Sequence, residues 1–306
     1  MSDITAARIN NLQSSISLIL GNGSGQNGYG QTVTSVPVNN TGDVVEAADL
    51  NAIYTDILKA RVHQVGVGDI SIAQVIQNLN IIAEDTSSFV NDAGVTSADP
   101  YGVKKGITDF ETLMNQVQAD KATMHSTQAA LEPAITSARS SNWNGLIYHE
   151  VAVTFSSESS RRFFFNTGGE IRLSTNNTSA ATPKGLDWAA LCLQVGTVKF
   201  NAENTISSTG TTAIGNYDLT SAFQNIYQKV GSGTYSGIYA GNLYTIKARS
   251  DIATRIIFRI EFNDVVTDNL IDNNVDGRLE STIQHLRADG DVIVPAPSYY
   301  NNQTLA

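Results

Sequence analysis

Cysteine, proline and charge are all scarce in this chain of 306 residues. Its single cysteine, Cys192, excludes an intrachain disulfide and indicates a chain made in a reducing cytosol. Only 16% of the residues are charged, and acidic residues outnumber basic ones to give a net charge of −10. A chain this acidic is poorly suited to neutralising nucleic-acid phosphates or to lying on anionic lipid. We therefore expect neither nucleic acid nor membrane among its partners.

Long apolar runs and targeting segments are missing as well. No apolar stretch approaches the roughly 18 residues that a membrane span requires. The start of the chain, MSDITAARIN, has neither the basic region nor the apolar region of a secretory signal. The length nevertheless allows a large core, because a chain of this size buries roughly 75% of its unfolded surface. These features predict an ordinary soluble protein.

Up to about residue 142, apolar residues recur with a helical period. In ITAARINNLQSSISLIL, Ile9, Leu12 and Ile16 lie on one face of a predicted helix, with Thr5 as its N-cap and Gly21 at its end. The stretch VVEAADLNAIYTDILKARVHQ repeats this spacing. ITDFETLMNQVQADKATMH carries a fainter third copy, and SIAQVIQNLNIIAEDTSSFV predicts another helix.

The first two helical stretches resemble an internal duplication. An offset of 41 residues (47 − 6) superposes Ala6-Ala7 on Ala47-Ala48, Asn10 on Asn51, and Ile16 on Ile57. The connection GNGSGQNGYGQTVTSVPVNNTGD between them is long and rich in Gly and Asn. Loops of this length are uncommon unless they contact something, so it is either an assembly contact or a floppy surface loop.

From WNGLIYHEVAVTFSS onward the period falls to two, as expected for strands. In TRIIFRIEFND, Ile256, Phe258, Ile260 and Phe262 share one face, and NLYTIKARS is predicted to lie opposite. Two short helices, LDWAALCLQV and YDLTSAFQNIYQKV, are predicted to interrupt the strands, and VIVPAPSYYNNQTLA is predicted to be extended. The fold class is therefore α+β, with a helical region at 1–142 and an antiparallel β-sandwich-like domain at 143–306.

The stretch RRFFFNTGGEIRLS at 161–174 combines paired arginines with a Gly-Gly pair. One interpretation is a phosphate site, but such a site needs glycines that open a helix. The other is a β-hairpin with TGG as its loop, which places Phe163 and Phe165 on one face with Ile171 and Leu173. The alternation favours the hairpin, with Arg172 lying over Phe164 on the outer face.

Motifs that suggest ligands all lack part of their context. GSGQNG at 23–28 fits a dinucleotide fingerprint, but a helix precedes it where a strand is required. In DNNVDGRLE, Asp272, Asn274 and Asp276 match the first positions of a calcium loop, but the twelfth position is Ile283. Weak or no calcium binding is the expectation.

Catalytic groups do not form a recognisable set either. The histidines are scattered without ligand spacing, at His63, His125, His149 and His285. Cys192 lies on an apolar helical face, which is typical of a core position. No G-x-S-x-G elbow occurs, and no local carboxylate pair stands out as acid and base. We therefore expect no catalytic, cofactor-binding or metal-binding residues, and no enzyme.

Three segments, VAVTFSSESSRRFFFNTGGEIRLS, TYSGIYAGNLYTIKARSD and DVIVPAPSY, resemble a family of virion structural proteins from tailed bacteriophages, cyanophages above all. The N-terminal units ITAARINNLQSSISLILGNGSGQNGYGQ and VVEAADLNAIYTDILKARVHQVG are similar to the front half of that family, so the resemblance spans nearly the whole chain. It implies a non-enzymatic particle component located in the virion. Its partners would be other virion proteins and copies of itself.

The resemblance leaves the place in the particle open. A tail, neck or baseplate component, such as a fibre or adaptor that docks through its helical half, is the main hypothesis. A capsid decoration protein is the alternative within the structural class. A host-binding module would instead use exposed aromatics to contact glycans, and Tyr235, Tyr239 and Tyr244 are the candidates.

Overall fold

The computed structural model of the protein describes residues 6–38, 46–67, 89–90, 96–97, 107–132, 135–266 and 274–305. The chain forms two compact units. The helical unit comprises Met1–Ala130, Arg162–Gly168 and Ala288–Val294. The β unit comprises Leu131–Arg161, Gly169–Arg287 and Pro295–Ala306. The predicted division into a helical region at 1–142 and a β-rich domain at 143–306 stays a prediction.

Three helices that pack pairwise form the helical unit: α1 (Ala6–Leu20), α2 (Ala47–Val65) and α3 (Ile107–Ala119). All three were predicted, and α1 and α2 begin at the two alanines that the 41-residue offset superposes. Their predicted apolar faces are buried, at Ile9, Leu12, Ile16, Leu50, Ile53, Ile57, Phe110, Leu113 and Val117. The predicted N-cap Thr5 and the helix predicted in SIAQVIQNLNIIAEDTSSFV lie outside the described residues, apart from Phe89–Val90 (β1), which pairs with Thr96–Ser97 (β2).

Antiparallel strands make up most of the rest of the described chain. They are β3 (Ala129–Leu131), β4 (Ile135–Arg139), β5 (Leu146–Thr154), β6 (Glu170–Thr178), β7 (Thr197–Phe200), β8 (Thr205–Ser207), β9 (Gly210–Thr212), β10 (Gln224–Val230), β11 (Leu243–Ile252), β12 (Arg255–Asn263), β13 (Arg278–Ala288) and β14 (Ser298–Gln303). One sheet has the order β10-β11-β12-β5-β14. The other has the order β3-β13-β6-β7-β8-β9, with β4 also paired to β13.

The two sheets form a sandwich-like arrangement that does not close into a barrel. NLYTIKARS lies opposite TRIIFRIEFND as predicted, and the observed register pairs Tyr244 with Phe262, Ile246 with Ile260, and Ala248 with Phe258. Facing rings fill the interior, and Phe200 meets Phe258 edge-on with the ring centroids 5.2 Å apart. The α+β class with antiparallel sheets is therefore confirmed, with helices mostly N-terminal and strands mostly C-terminal.

Of the two helices predicted within the strand-rich region, one is confirmed and one is wrong. Helix α5 (Pro183–Val195) begins with proline at its first position, and the Thr182 hydroxyl accepts a bond from the Gly185 amide. By contrast, the helix predicted in YDLTSAFQNIYQKV is strand β10. A bulge between Asn225 and Tyr227 turns two consecutive apolar residues inward, which imitates a helical pattern.

The hairpin predicted for RRFFFNTGGEIRLS is also wrong, because Glu158–Asn166 forms helix α4 before β6 begins. Ser157 caps the helix by accepting a bond from the Ser160 amide at 3.0 Å. Gly168, at φ +83°, ends it, in the conformation that glycine adopts most readily. The buried positions of α4 are 161, 164, 165 and 166, a helical spacing, and Arg172 pairs with Glu170 rather than lying over Phe164.

Candidate functional site

Arg161, the first arginine of RRFFFNTGGEIRLS, makes hydrogen bonds inside the β unit. Its guanidinium donates to Asn216 Oδ1 at 2.7 Å, to Ser250 Oγ at 2.6 Å and to the Ala253 carbonyl at 3.2 Å. The side chain is buried, so these protein oxygens replace the water that it loses. The arginine thus anchors loops, and Gly168 follows a helix instead of opening one, as a phosphate site would require.

The glycine-rich loop after α1 is a packing element of the helical unit. The Asn166 amide donates to the carbonyl oxygens of Gln26 and Gly28 at 3.0 and 2.8 Å. Gly30 has φ +70°, and a Cβ there would lie 2.3 Å from the Phe163 ring. The loop follows a helix and precedes extended chain, the inverse of the dinucleotide-binding context.

The extended chain after this loop, Gln31–Val38, is fastened to α1 and α2 by side chains. Asn10 exchanges two bonds with the Val38 backbone, at 2.8 and 3.0 Å. Buried Asp56 accepts from the amides and hydroxyls of Thr34 and Ser35, at 2.6–3.1 Å. The described part of this connection is therefore held to the bundle and is not a floppy loop.

In the described part of the calcium-like stretch DNNVDGRLE, Asp276 bonds to nearby protein groups. Asp276 accepts from the Ala181 amide at 2.8 Å and from the Thr182 hydroxyl at 2.6 Å, which ties it to the start of α5. Burial opposes ionisation of Asp276, but these bonds outweigh it and leave its pKa below the usual value. Ile283 is buried in β13, and Asp272 lies outside the described residues. Within the described ranges, no three His, Cys, Asp or Glu residues are grouped so that they could hold a metal ion.

A serine–histidine–asparagine set that the sequence did not reveal lies inside the β unit. His149 Nδ1 is 3.0 Å from Ser281 Oγ, and its Nε2 is 2.9 Å from Asn301 Oδ1. This is the spacing of a nucleophile, a base and an orienting group. Both Ser281 and His149 have no exposed surface, however, so no substrate could reach the hydroxyl. Burial lowers the pKa of His149, and the set acts as a neutral polar link between the two sheets.

The other histidines and the cysteine are packing residues. His63 Nε2 contacts the Thr167 carbonyl at 2.9 Å, and His285 Nδ1 contacts the Tyr299 hydroxyl at 2.6 Å. His125 is only partly buried, and its Nδ1 lies 2.8 Å from Thr127 Oγ1. Cys192 is buried in α5 as predicted, and burial raises the pKa of its thiol to about 12, so it is not a nucleophile at neutral pH.

The three tyrosines considered for glycan binding do not form a platform. Tyr239 and Tyr244 have no exposed surface, and the Tyr244 ring packs edge-on against Phe262. Tyr235 alone is exposed. A single exposed ring that has no aromatic partner among the described residues gives no specific support to a glycan site.

Several exposed apolar side chains lie at one end of the five-stranded sheet of the β unit. Val230, Leu243, Asn263 and Leu146 are neighbours in register across β10, β11, β12 and β5. The loops at that end add further apolar side chains. We define the apolar end surface by its exposed members: Leu146, Val230, Tyr235, Ile238 and Val265.

The loops of the apolar end surface are held by buried polar groups. Asp187 of α5 accepts from the amides of Tyr235 and Ser236 at 2.7 and 3.0 Å, and Asn242 Oδ1 accepts from the Val265 amide at 3.2 Å. The exposed side chains therefore project from a fixed backbone. Farther along the outer face of this sheet, charged pairs such as Lys247–Glu261 and Arg259–Glu150 replace the apolar residues.

The side chains of His63, His149 and Cys192 are buried, whereas the apolar side chains of the apolar end surface are exposed. Among the described residues, no helix is both long and apolar enough to cross a bilayer. No known protein family, characterised protein or solved structure shows significant similarity to the chain.

Proposed function

We propose that the protein is a non-enzymatic structural component of a tailed-bacteriophage particle. In this proposal it is associated with the tail, neck or baseplate, as a fibre or adaptor. Its N-terminal helical half docks on a neighbouring virion protein, and its β-sandwich-like C-terminal part packs against a second copy of the chain. The apolar end surface is the observation that carries the proposal.

Five large apolar side chains on one sheet end are difficult to explain in an isolated monomer. Each is about half exposed, between 46% for Ile238 and 59% for Tyr235. Contiguous apolar patches on monomers are small and often functional, and association is driven by burying them inside a polar rim. Symmetric contact between copies is the usual arrangement of such surfaces.

The apolar end surface can be tested with a matched pair of charge substitutions. Val230→Asp places a carboxylate in the surface, whereas Ile252→Asp places one at the opposite end of the same sheet, in the β11–β12 turn. The two side chains are equally exposed, at 52% and 51%, so both variants should fold. We expect Val230→Asp to abolish self-association in sedimentation velocity and Ile252→Asp to preserve it; equal behaviour of the two variants would contradict the role of this surface.

The anchoring role of the helical half is tested by deleting residues 1–65, which removes α1 and α2. We expect the truncated chain to be missing from purified particles while its strands still give a β-sheet circular dichroism spectrum. Normal incorporation of the truncated chain would show that the anchor lies elsewhere.

The place in the particle is tested with gold-labelled antibody on intact virions, viewed by electron microscopy. Gold at the tail, neck or baseplate supports the proposal. Gold over the head would make the protein a capsid decoration protein, and particles without gold would remove the virion role altogether.

A further inference from the structure

An amine and a carboxyl group meet in the interior of the β unit. Lys184 is the second residue of α5, and Asp264 directly follows β12. The Lys184 Nζ lies 2.6 Å from Asp264 Oδ2, and neither side chain has any exposed surface. The two residues are separated by 80 positions in the chain (264 − 184), so only the fold brings them together.

The contact between them is not an ordinary ion pair. Nζ donates a hydrogen bond to the Val266 carbonyl at 2.6 Å, but neither carboxylate oxygen of Asp264 accepts a hydrogen bond of normal geometry from a described residue. A charged pair in a protein interior is stable only when its lone pairs and protons are satisfied. Here the nitrogen lies against the carboxyl group without taking up the hydrogen-bonding direction.

Aromatic rings lie close to the pair. Nζ is 6.0 Å from the centroid of the buried Tyr239 ring, and one turn farther along α5 Trp188 packs near Phe262. A carboxylate is costly to bury away from water, which favours the protonated form of a buried carboxyl group. Burial raises the pKa of Asp264, although the neighbouring Lys184 opposes the shift.

We propose that Lys184 and Asp264 condense to form an intramolecular isopeptide bond. The neutral Nζ attacks Cγ of the protonated carboxyl group, so that a C–N bond forms. The Cγ–O bond then breaks, and the oxygen leaves as water with one proton from the acid and one from the amine. Nothing is oxidised or reduced, and no further reactant is needed. Asn242, whose Oδ1 accepts a bond from the Val265 amide next to Asp264, has a buried Nδ2 without a partner among the described residues.

The bond would tie the start of α5 to the end of β12, directly beside the apolar end surface at Val265. It closes a covalent loop, so it removes conformations from the unfolded chain as a disulfide does. A chain with one cysteine has no disulfide available for this purpose. The inference does not depend on the proposed place of the protein in a virion.

The decisive experiment is the intact mass of the folded wild-type chain, followed by tryptic peptide mapping. We expect a mass lower than the sequence mass by one water molecule, and a branched peptide that joins the segments around Lys184 and Asp264. The branched peptide distinguishes the cross-link from a succinimide, which also releases water. A folded wild-type chain of full mass, with the two segments recovered separately, would overturn the proposal.

Variants provide the controls. Lys184→Met removes the nucleophile and should restore the full mass, whereas Lys247→Met, which removes an amine 2.9 Å from Glu261 on the outer face, should keep the water loss. Asp264→Asn should still form the bond by releasing ammonia, and its product should have the same mass as the cross-linked wild type. If Lys184→Met fails to fold, the wild-type mass and peptide map decide alone.

Discussion

At the residue scale, buried polar side chains hold irregular backbone in place. Asp56 is the clearest case in the helical unit, since its carboxylate accepts hydrogen bonds from the amides and the hydroxyls of both Thr34 and Ser35. Hydrogen bonds to a charged acceptor are worth more than neutral ones, and donors left buried without a partner are destabilising. Asp56 therefore fixes the path of the chain between α1 and α2.

Replacement of Asp56 by alanine should lower the free energy of unfolding of the helical unit by about 3 kcal/mol. Denaturant titration measures the loss, and amide exchange at Thr34 and Ser35 should become faster. The control is Asp49→Ala in the capping box of the same helix, which should cost only about 1 kcal/mol. Equal losses in the two variants would contradict the special role of Asp56.

A pH effect belongs to the same scale. His63 is fully buried, and its Nε2 lies 2.9 Å from the Thr167 carbonyl, a contact that favours the protonated ring but is outweighed by burial. Burial lowers the pKa of His63 from 6.5 to about 4. Because the unfolded chain takes up the proton more readily, stability is fully present above pH 6.5 and falls as the pH drops toward 4.

The loss from His63 should reach about 3 kcal/mol at the acidic end of that window. We expect His63→Gln, whose amide can still donate to Thr167, to be less dependent on pH between these limits than the wild type. Unfolding free energies of both proteins across the window measure the difference. Parallel curves would show that His63 does not titrate as inferred.

At the element scale, the two helices of the predicted duplication bury residues at matching positions. Ile16 in α1 and Ile57 in α2 superpose in the sequence repeat, and neither has exposed surface. Ile16→Ala and Ile57→Ala should therefore each destabilise the helical unit by about 3 kcal/mol, through lost burial and the cavity left behind. Leu18→Ala in α1 is the exposed control and should cost below about 1 kcal/mol. Strongly unequal losses at the two isoleucines would argue against equivalent repeats.

Helix α4 shows the limit of prediction from local sequence patterns. Its phenylalanine run fits alternation as well as helical spacing, so periodicity alone did not separate hairpin from helix. The signals for the helix were present in Ser157, Glu158 and the glycine at 168, which suit a helix start and end. The Thr-Gly-Gly sequence was interpreted as a hairpin loop because the strand that follows it is real.

At the scale of the whole molecule, net charge opposes contact between copies. Each chain carries a net charge of −10, so two chains repel one another at low salt. The apolar end surface attracts without charge and depends little on salt. Raising the ionic strength from about 0.01 M to about 0.15 M shortens the screening length from about 30 Å to about 8 Å.

Self-association should therefore strengthen as salt is added over this range. Sedimentation equilibrium at the two salt concentrations measures the dimerisation constant. Val230→Asp should remain monomeric in both conditions. Association that weakens with salt would instead indicate an interface made of ion pairs, and would exclude the apolar end surface as the main contact.

Elements with a clear local period were predictable from the amino-acid order. Helices α1, α2 and α3, the apolar face of β12 and the buried Cys192 all follow from spacing, because neighbours along the chain share a face of a helix or strand. The tertiary structure decided everything that joins distant positions. The segment Gln224–Val230 became strand β10 instead of the predicted helix. His149 came to lie beside Ser281 and Asn301, and Lys184 beside Asp264. Such meetings depend on the order of strands in the sheets and on the packing of helices against them, which no local period encodes.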